Sequence, residues 1–264
     1  MAIKYVTLDP TGNITCLVLS PVAAKDRPRV TARLMDRCEQ VGYLLPAGQP
    51  GTRARLEMMG GEFCGNASMG SAAWLARQAG LADQTETVIP LEVSGAEEIV
   101  SCRIRREGES WLGTVNMPLP ENMAEIELDG KQMTAVFLPG MTHLILPLSD
   151  LGKKEAEALL RKAALRFSAP ALGLLLWDGA RAFMTPLVYV RGSETMVWEN
   201  ACGSGTTAIA CWMTVKAGHS METAVGQPGG ILRAAAEIRD GMIREIRLSG
   251  TVRIGTVAEM KEDP

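Results

Sequence analysis

Gly61-Glu62-Phe63-Cys64-Gly65-Asn66-Ala67-Ser68, running on through Trp74 to Ala79-Gly80, has a second copy in the same chain. The copy is Glu199-Asn200-Ala201-Cys202-Gly203-Ser204-Gly205-Thr206, running on through Trp212 to Ala217-Gly218. With Cys64 laid on Cys202, an offset of 138 residues, Gly65 falls on Gly203, Trp74 on Trp212, Ala79 on Ala217 and Gly80 on Gly218, without a gap. A period of about half the chain predicts two related halves, each with one cysteine at the same structural point. Each copy also predicts a helix, over about 66–78 and 204–216, that opens just after its cysteine and is closed by a glycine.

A cysteine at that place has chemistry available to it. A helix N-terminus carries unsatisfied N–H groups and about half a positive charge, so it draws in anions and favours a thiolate. Glycines beside the cysteine let an anionic group approach the backbone. The dipole, worth roughly 0.3–2 kcal/mol, lowers a thiol pKa by about 0.2–1.5 units, a contribution toward a usable base rather than the whole of it. Two such sites facing each other across a cleft would let one thiolate take a proton from a carbon while the opposite thiol delivers one to the other face, inverting a stereocentre. The plainer alternative is two buried packing cysteines beside tight turns, which is the commoner reading of a single Cys-Gly. The paired context, with polar Asn66, Ser68, Ser204 and Thr206 after the cysteines, favours chemistry. A Cys64–Cys202 disulfide is a third reading.

Bulk properties remove several other classes. The 264 residues are 47% hydrophobic and 22% charged, an ordinary globular balance with room for one large or two small cores. A net charge of −3 without a basic run gives no electrostatic footprint for nucleic acid, and the 4 Phe, 3 Tyr and 5 Trp make no base-stacking platform. Ala171-Leu172-Gly173-Leu174-Leu175-Leu176-Trp177 is the most apolar run and is too short to span a bilayer, and the start lacks a signal peptide's apolar stretch, so a soluble cytoplasmic protein is expected. The other cysteines, Cys16, Cys38, Cys102 and Cys211, form no C-x-x-C pair, and His143 and His219 are the only histidines, so neither a disulfide framework nor a metal centre is expected. No phosphate-binding loop or dinucleotide fingerprint is present, and no cofactor is expected.

Alternation and turn signals predict strands at 3–8, 14–19, 43–45, 53–58, 87–90, 97–104, 111–117 and 125–128, with a helix over 29–40. Met117-Pro118-Leu119-Pro120 reads as the crossing between halves. Beyond it, strands are expected at 131–138, 143–146, 172–177, 183–190, 231–238, 242–248 and 251–257, with an amphipathic helix over 153–166. The fold class is therefore α+β in two pseudo-symmetric lobes. Residues 1–117 form an N-terminal lobe holding Cys64 and 118–251 a C-terminal lobe holding Cys202, with the last strand, about 252–264, returning to the first lobe.

At these residues the chain resembles the diaminopimelate epimerase superfamily of cofactor-independent amino-acid racemases. Pro10-Thr11-Gly12-Asn13, the two cysteine motifs, Thr142-His143 in place of Pro-His, and Gln227-Pro228-Gly229-Gly230 carry the resemblance over nearly the whole chain. It implies that each lobe is a β-barrel-like sheet wrapped around a central helix, and that Cys64 and Cys202 are the acid/base pair. It also implies that the amides of Gly65, Asn66, Gly203 and Ser204 hold the substrate carboxylate. The chain departs from true diaminopimelate epimerases at Ala67-Ser68-Met69, at Arg55 where they carry a substrate-gripping asparagine, and at Met196-Val197-Trp198-Glu199-Asn200. Cys38-Glu39-Gln40-Val41-Gly42, Glu62-Phe63-Cys64-Gly65-Asn66-Ala67 and Trp198-Glu199-Asn200 are closer to the histidine racemases of staphylopine-type metallophore pathways.

That resemblance implies interconversion of L- and D-histidine, a small amino-acid partner, and a homodimer as a candidate assembly. Glu39 then meets the substrate's imidazole or ammonium, or is a solvated charge at a helix end. Glu199 binds the substrate ammonium or caps the following turn. His143 lines the pocket or is a core histidine with a satisfied hydrogen bond, and Asn13 is a pocket ligand or a turn residue. The rivals are epimerisation of another amino acid such as diaminopimelate, a methylaconitate-type isomerase, and a carboxylate-binding protein without activity.

Overall fold

In the computed structural model, which describes residues 2–147, 151–192 and 194–261, the element order repeats. Residues 262–264 of the expected last strand lie outside the described residues. The first round is β1 (Ala2–Pro10), β2 (Thr15–Val18), α1 (Arg27–Leu34), β3 (Gln40–Leu45), β4 (Ala54–Met58), α2 (Gly65–Gln78), β5 (Glu86–Val93), β6 (Val100–Glu107) and β7 (Ser110–Asn116). The second is β8 (Asn122–Leu128), β9 (Lys131–Leu138), β10 (Met141–Pro147), α3 (Lys153–Arg166), β11 (Ala171–Asp178), β12 (Phe183–Val190), β13 (Thr195–Trp198), α4 (Gly203–Ala217), β14 (Met221–Gln227), β15 (Gly230–Arg239) and β16 (Met242–Lys261). The chain forms two compact units, Met1–Asn116 with Ser249–Pro264, and Met117–Leu248. Mixed α+β is the class observed.

Each unit uses its helices in the same way. Parallel strands cannot be joined by a tight turn and need a crossover connection. In the first unit β2 pairs parallel with β3 across α1, and β4 with β5 across α2. In the second, β10 pairs parallel with β11 across α3, and β12 touches β14 in parallel across α4. Hairpin neighbours such as β1–β2, β3–β4, β5–β6, β8–β9 and β14–β15 are antiparallel, and β1 lies antiparallel along the last part of β16, from Ala2↔Lys261 to Pro10↔Val252.

The helices differ in what they bury. α3 shows one apolar stripe, Ala156, Leu159, Leu160 and Ala163, packed on Leu172, Leu174 and Leu176 of β11; the spacing is that of a surface helix. α2 is buried from Gly65 to Trp74 and again at Ala76, and it packs on β1, β5, β6 and β7. Small residues make this possible: a Cβ on Gly113 of β7 would stand 2.8 Å from Met69 Cβ. α4 is buried similarly, from Gly203 through Cys211 apart from Ser204, against β14, β15, β9 and β10. The glycines expected to close these two helices, Gly80 and Gly218, both have φ of 73°, the left-handed conformation that ends a helix.

Several expected bounds are corrected. α1 stops at Leu34 rather than reaching residue 40, because the Glu39 N–H donates to Ile14 O at 2.8 Å and draws the chain into β3 beside β2. The two strands expected at 242–248 and 251–257 are one, β16. β13 and β14 went unforeseen; the inward positions of β14 include Thr223 and Gln227, so its alternation carries little apolar signal. No helix among the described residues is long and apolar enough to cross a membrane.

Candidate active site

Cys64 and Cys202 are each the N-cap of a helix, with extended φ/ψ of −132°/109° and −108°/109°. The two helix starts repeat atom by atom. Cys64 Sγ accepts the Ala67 N–H and Cys202 Sγ the Gly205 N–H, both at 3.4 Å. Ser68 Oγ donates to Cys64 O and Thr206 Oγ1 to Cys202 O, both at 2.8 Å. The fourth amides, of Ser68 and Thr206, donate to the same carbonyls at 3.0 Å. The first two N–H groups of each helix, those of Gly65 and Asn66 on α2 and of Gly203 and Ser204 on α4, precede the helix's own hydrogen-bond ladder. Pairs of convergent amides at a helix start suit a carboxylate.

In the first unit the sulfur is tied into a polar chain. Cys64 Sγ donates to Gln40 Oε1 at 3.3 Å, and Gln40 Nε2 donates to Asn13 Oδ1 at 2.6 Å and to Thr15 Oγ1 at 2.8 Å. Asn13 Nδ2 in turn donates to Glu39 Oε2 at 2.9 Å. Asn13 is buried and follows Thr11 and Gly12, whose φ of 58° and 92° turn the chain between β1 and β2. Asn13, Glu39 and Cys64 therefore belong to one hydrogen-bonded cluster, joined through Gln40, to which no role had been given. Behind it, Ser94 Oγ donates to Glu62 O at 2.9 Å, bracing the segment that leads to Cys64. Arg55 is paired with Glu57 at 2.6 Å.

In the second unit Cys202 is buried, and its surroundings oppose ionisation. Burial is the main reason its thiol pKa lies well above the usual value, followed by the Glu199 carboxylate, which repels a thiolate and accepts a hydrogen bond from the thiol. Ser204 Oγ is 3.5 Å from the sulfur and 2.8 Å from His143 Nε2. His143 is wholly buried, and burial pushes its pKa down to about 3, so the ring is neutral at physiological pH. Room for it is made by Gly173, its partner across the β10–β11 pairing, where a Cβ would stand 2.1 Å from His143 Nδ1. Cys202, Glu199, His143, Ser204 and Gly203 thus lie together around one helix start. Gln227 completes the group: its Oε1 accepts the Cys202 N–H at 2.6 Å and its Nε2 donates to Thr206 Oγ1 at 2.9 Å.

Gln40 and Gln227 are the residues that sequence reasoning passed over. Both had been noted inside motifs, and the signal available for each was an amide at the end of a buried strand, where an uncharged polar group needs partners. The remaining cysteines lack such settings. Cys102 and Cys211 are buried, and burial pushes their thiols up to about 12. Cys16 and Cys38 hydrogen-bond to each other, which lowers the pKa of Cys38 and raises that of Cys16. All six cysteines are free thiols, so the Cys64–Cys202 disulfide is not formed. No cluster of metal-ligating side chains occurs among the described residues.

Known proteins resemble this chain in sequence and in fold. A family model described as "Histidine racemase CntK N-terminal domain" matches residues 2–260. A histidine racemase of Fusobacterium nucleatum subsp. nucleatum is 30% identical over 247 residues, which are 89% of this chain and 90% of that one. A histidine racemase of Staphylococcus aureus is 28% identical over 86% of each chain. Among solved structures, a predicted epimerase from Pseudomonas aeruginosa superposes with a TM-score of 0.73 at 19% identity, covering 99% of this chain and 100% of that one. A hydroxyproline epimerase from Agrobacterium vitis gives 0.69 at 14% identity, covering 98% and 92%. These last two bear on the fold alone.

Proposed function

This chain belongs to the histidine racemase family, and from that premise we propose that it interconverts L- and D-histidine by passing the α-proton between Cys64 and Cys202. The thiolate of one cysteine removes the proton from one face of the α-carbon, and the thiol of the other returns a proton to the opposite face. The substrate leaves inverted, the two cysteines have exchanged protonation states, and proton exchange with solvent resets them. No redox change and no covalent intermediate is involved. The observation that carries this reading is the twin helix start, with a sulfur at the N-cap of both α2 and α4 that accepts the third N–H of its helix, at Cys64 and at Cys202. The first two amides of each helix, of Gly65, Asn66, Gly203 and Ser204, would hold the α-carboxylate and the charge that spreads onto it as the proton leaves.

The other polar groups have roles consistent with their surroundings. Glu39, held by Asn13, pairs with the imidazole or ammonium of the substrate. Glu199, beside the Cys202 thiol, takes the ammonium. His143 stays neutral and steadies Ser204. Free thiols need a reducing compartment, which supports a cytoplasmic location. Sequence resemblance supports a place for the D-histidine product in metallophore biosynthesis, and the repeated first-turn hydrogen bonds support reading the two units as pseudo-symmetric lobes.

The test uses reduced protein with L-histidine, and separately D-histidine, in D₂O, following the α-proton by NMR and the enantiomers by chiral chromatography. Exchange with inversion is expected for the native protein. Inversion should vanish in both Cys64→Ser and Cys202→Ser, while each variant keeps α-proton exchange on one enantiomer only, and the two variants keep opposite ones. Exchange on a different amino acid and none on histidine would move the substrate. Inversion that survives either serine substitution would sink the two-cysteine mechanism.

A further inference from the structure

A closed ring of hydrogen bonds passes around the Cys202 peptide. Its N–H donates to Gln227 Oε1 at 2.6 Å, Gln227 Nε2 donates to Thr206 Oγ1 at 2.9 Å, and Thr206 Oγ1 donates to Cys202 O at 2.8 Å. All three residues are buried, with exposures of 4% for Cys202, 3% for Gln227 and 0% for Thr206. The ring fits only one assignment of donors and acceptors. Cys202 offers an N–H, so the glutamine must present oxygen there and NH₂ to Thr206, whose proton is then directed to the Cys202 carbonyl. The glutamine is itself anchored on both sides: the Gly226 N–H donates to Ala182 O and the Gly229 N–H to Asn200 O, each at 2.8 Å. A buried amide this fully engaged has no freedom to swing toward a ligand.

At the other helix start Ser68 bonds the Cys64 carbonyl as Thr206 bonds that of Cys202, and the glutamine nearby, Gln40, accepts from the Cys64 thiol. The two glutamines thus meet different parts of their cysteines, Gln40 the Cys64 side chain and Gln227 the Cys202 backbone.

We infer that Gln227 is the positioning residue for Cys202, a role that rests on the two-cysteine reading. It touches neither the sulfur nor the substrate. By closing the ring it fixes the extended N-cap conformation that aims the Cys202 Cα–Cβ bond, and so the line along which Sγ meets the α-carbon. It also occupies the Cys202 N–H, so that a carboxylate at this helix start is left with the amides of Gly203 and Ser204. A misplacement of about 1 Å at a reacting atom can cost about 100-fold in rate. Loss of the ring should act on the half-reaction in which Cys202 is the base and spare the one in which Cys64 is.

The experiment compares α-proton exchange from L- and from D-histidine in D₂O for the native protein, Gln227→Leu, Thr206→Val and Thr206→Ser. Cys202→Ser identifies the enantiomer that depends on Cys202 as base. For that enantiomer, Gln227→Leu and Thr206→Val should slow exchange by about 10- to 100-fold more than for its mirror image. Thr206→Ser keeps the hydroxyl, closes the ring and should retain the native ratio. Thr206→Val opens the ring without touching the glutamine and answers the question if Gln227→Leu does not fold. A parallel fall for both enantiomers, with the ratio unmoved, would reduce Gln227 to a structural residue and overturn the inference alone. No exchange by the native protein with either enantiomer would overturn the two-cysteine reading and the inference with it.

Discussion

His143 illustrates how one residue's surroundings become a property of the whole protein. The unfolded chain holds this imidazole near its ordinary pKa of 6.5, whereas the folded protein holds it at about 3 because the ring is buried away from water. Between those values the unfolded state binds the proton and the folded state does not, so folding stability falls as pH drops. The slope from this residue alone is about 1.4 kcal/mol per pH unit below about 6.5, and the contribution is complete above that value. Denaturant titrations between pH 7 and pH 4 should show this acid limb in the native protein, and His143→Gln should flatten it. An identical slope in the variant would show that other groups set the acid limit. Since the imidazole stays neutral throughout this range, His143 does not set the response of activity to mild acidity. The residue was legible in the sequence as a histidine in an apolar strand, with a pocket role and a core role both open. Its burial beside Gly173, and its bond to Ser204 on another element, lay outside what local pattern contains.

At the scale of the element, α2 and α4 were the most readable parts of the chain and also depend most on their neighbours. Cysteine before, glycine after and small apolar residues between were sufficient to place them. What the pattern did not contain is that the strands of each unit close on these helices on several sides, so that glycines on the strands set how near they lie. Gly113 on β7 is the clearest case: a methyl group there would meet Met69 Cβ at 2.8 Å and Cγ at 3.0 Å. Gly113→Ala should therefore destabilise the protein by about 1–3 kcal/mol through overpacking, read as a lowered denaturation midpoint. A midpoint unchanged within error would mean that α2 is free to shift. By contrast α1 was drawn too long and β14 was not foreseen. In the first case a long-range strand contact, Glu39 N–H to Ile14 O, overrode helical spacing. In the second, inward-facing Thr223 and Gln227 hid the alternation.

For the whole molecule, β16 is the element whose partners are farthest away in sequence. It pairs with β1 from Pro10↔Val252 to Ala2↔Lys261, so the chain's last described residues complete the sheet begun by its first. A chain ending at Thr251 would leave that edge of β1 without hydrogen-bond partners. Hydrogen exchange should then accelerate at Val6 and Leu8, which are fully buried in the intact protein. Unchanged protection in β1 would show that β16 is dispensable there. The sequence by itself determined the repeated motif, the two helix starts with a cysteine before each, and the mixed α+β class, because these depend on neighbours a few residues apart or on a repeat visible at a fixed offset. Only the tertiary structure decided which polar groups serve the cysteines. Gln40 reaches Cys64 across 24 positions and Gln227 reaches Cys202 across 25. The physical reason is that a buried amide takes whichever partner packing brings within about 3 Å, and packing is a property of the folded whole.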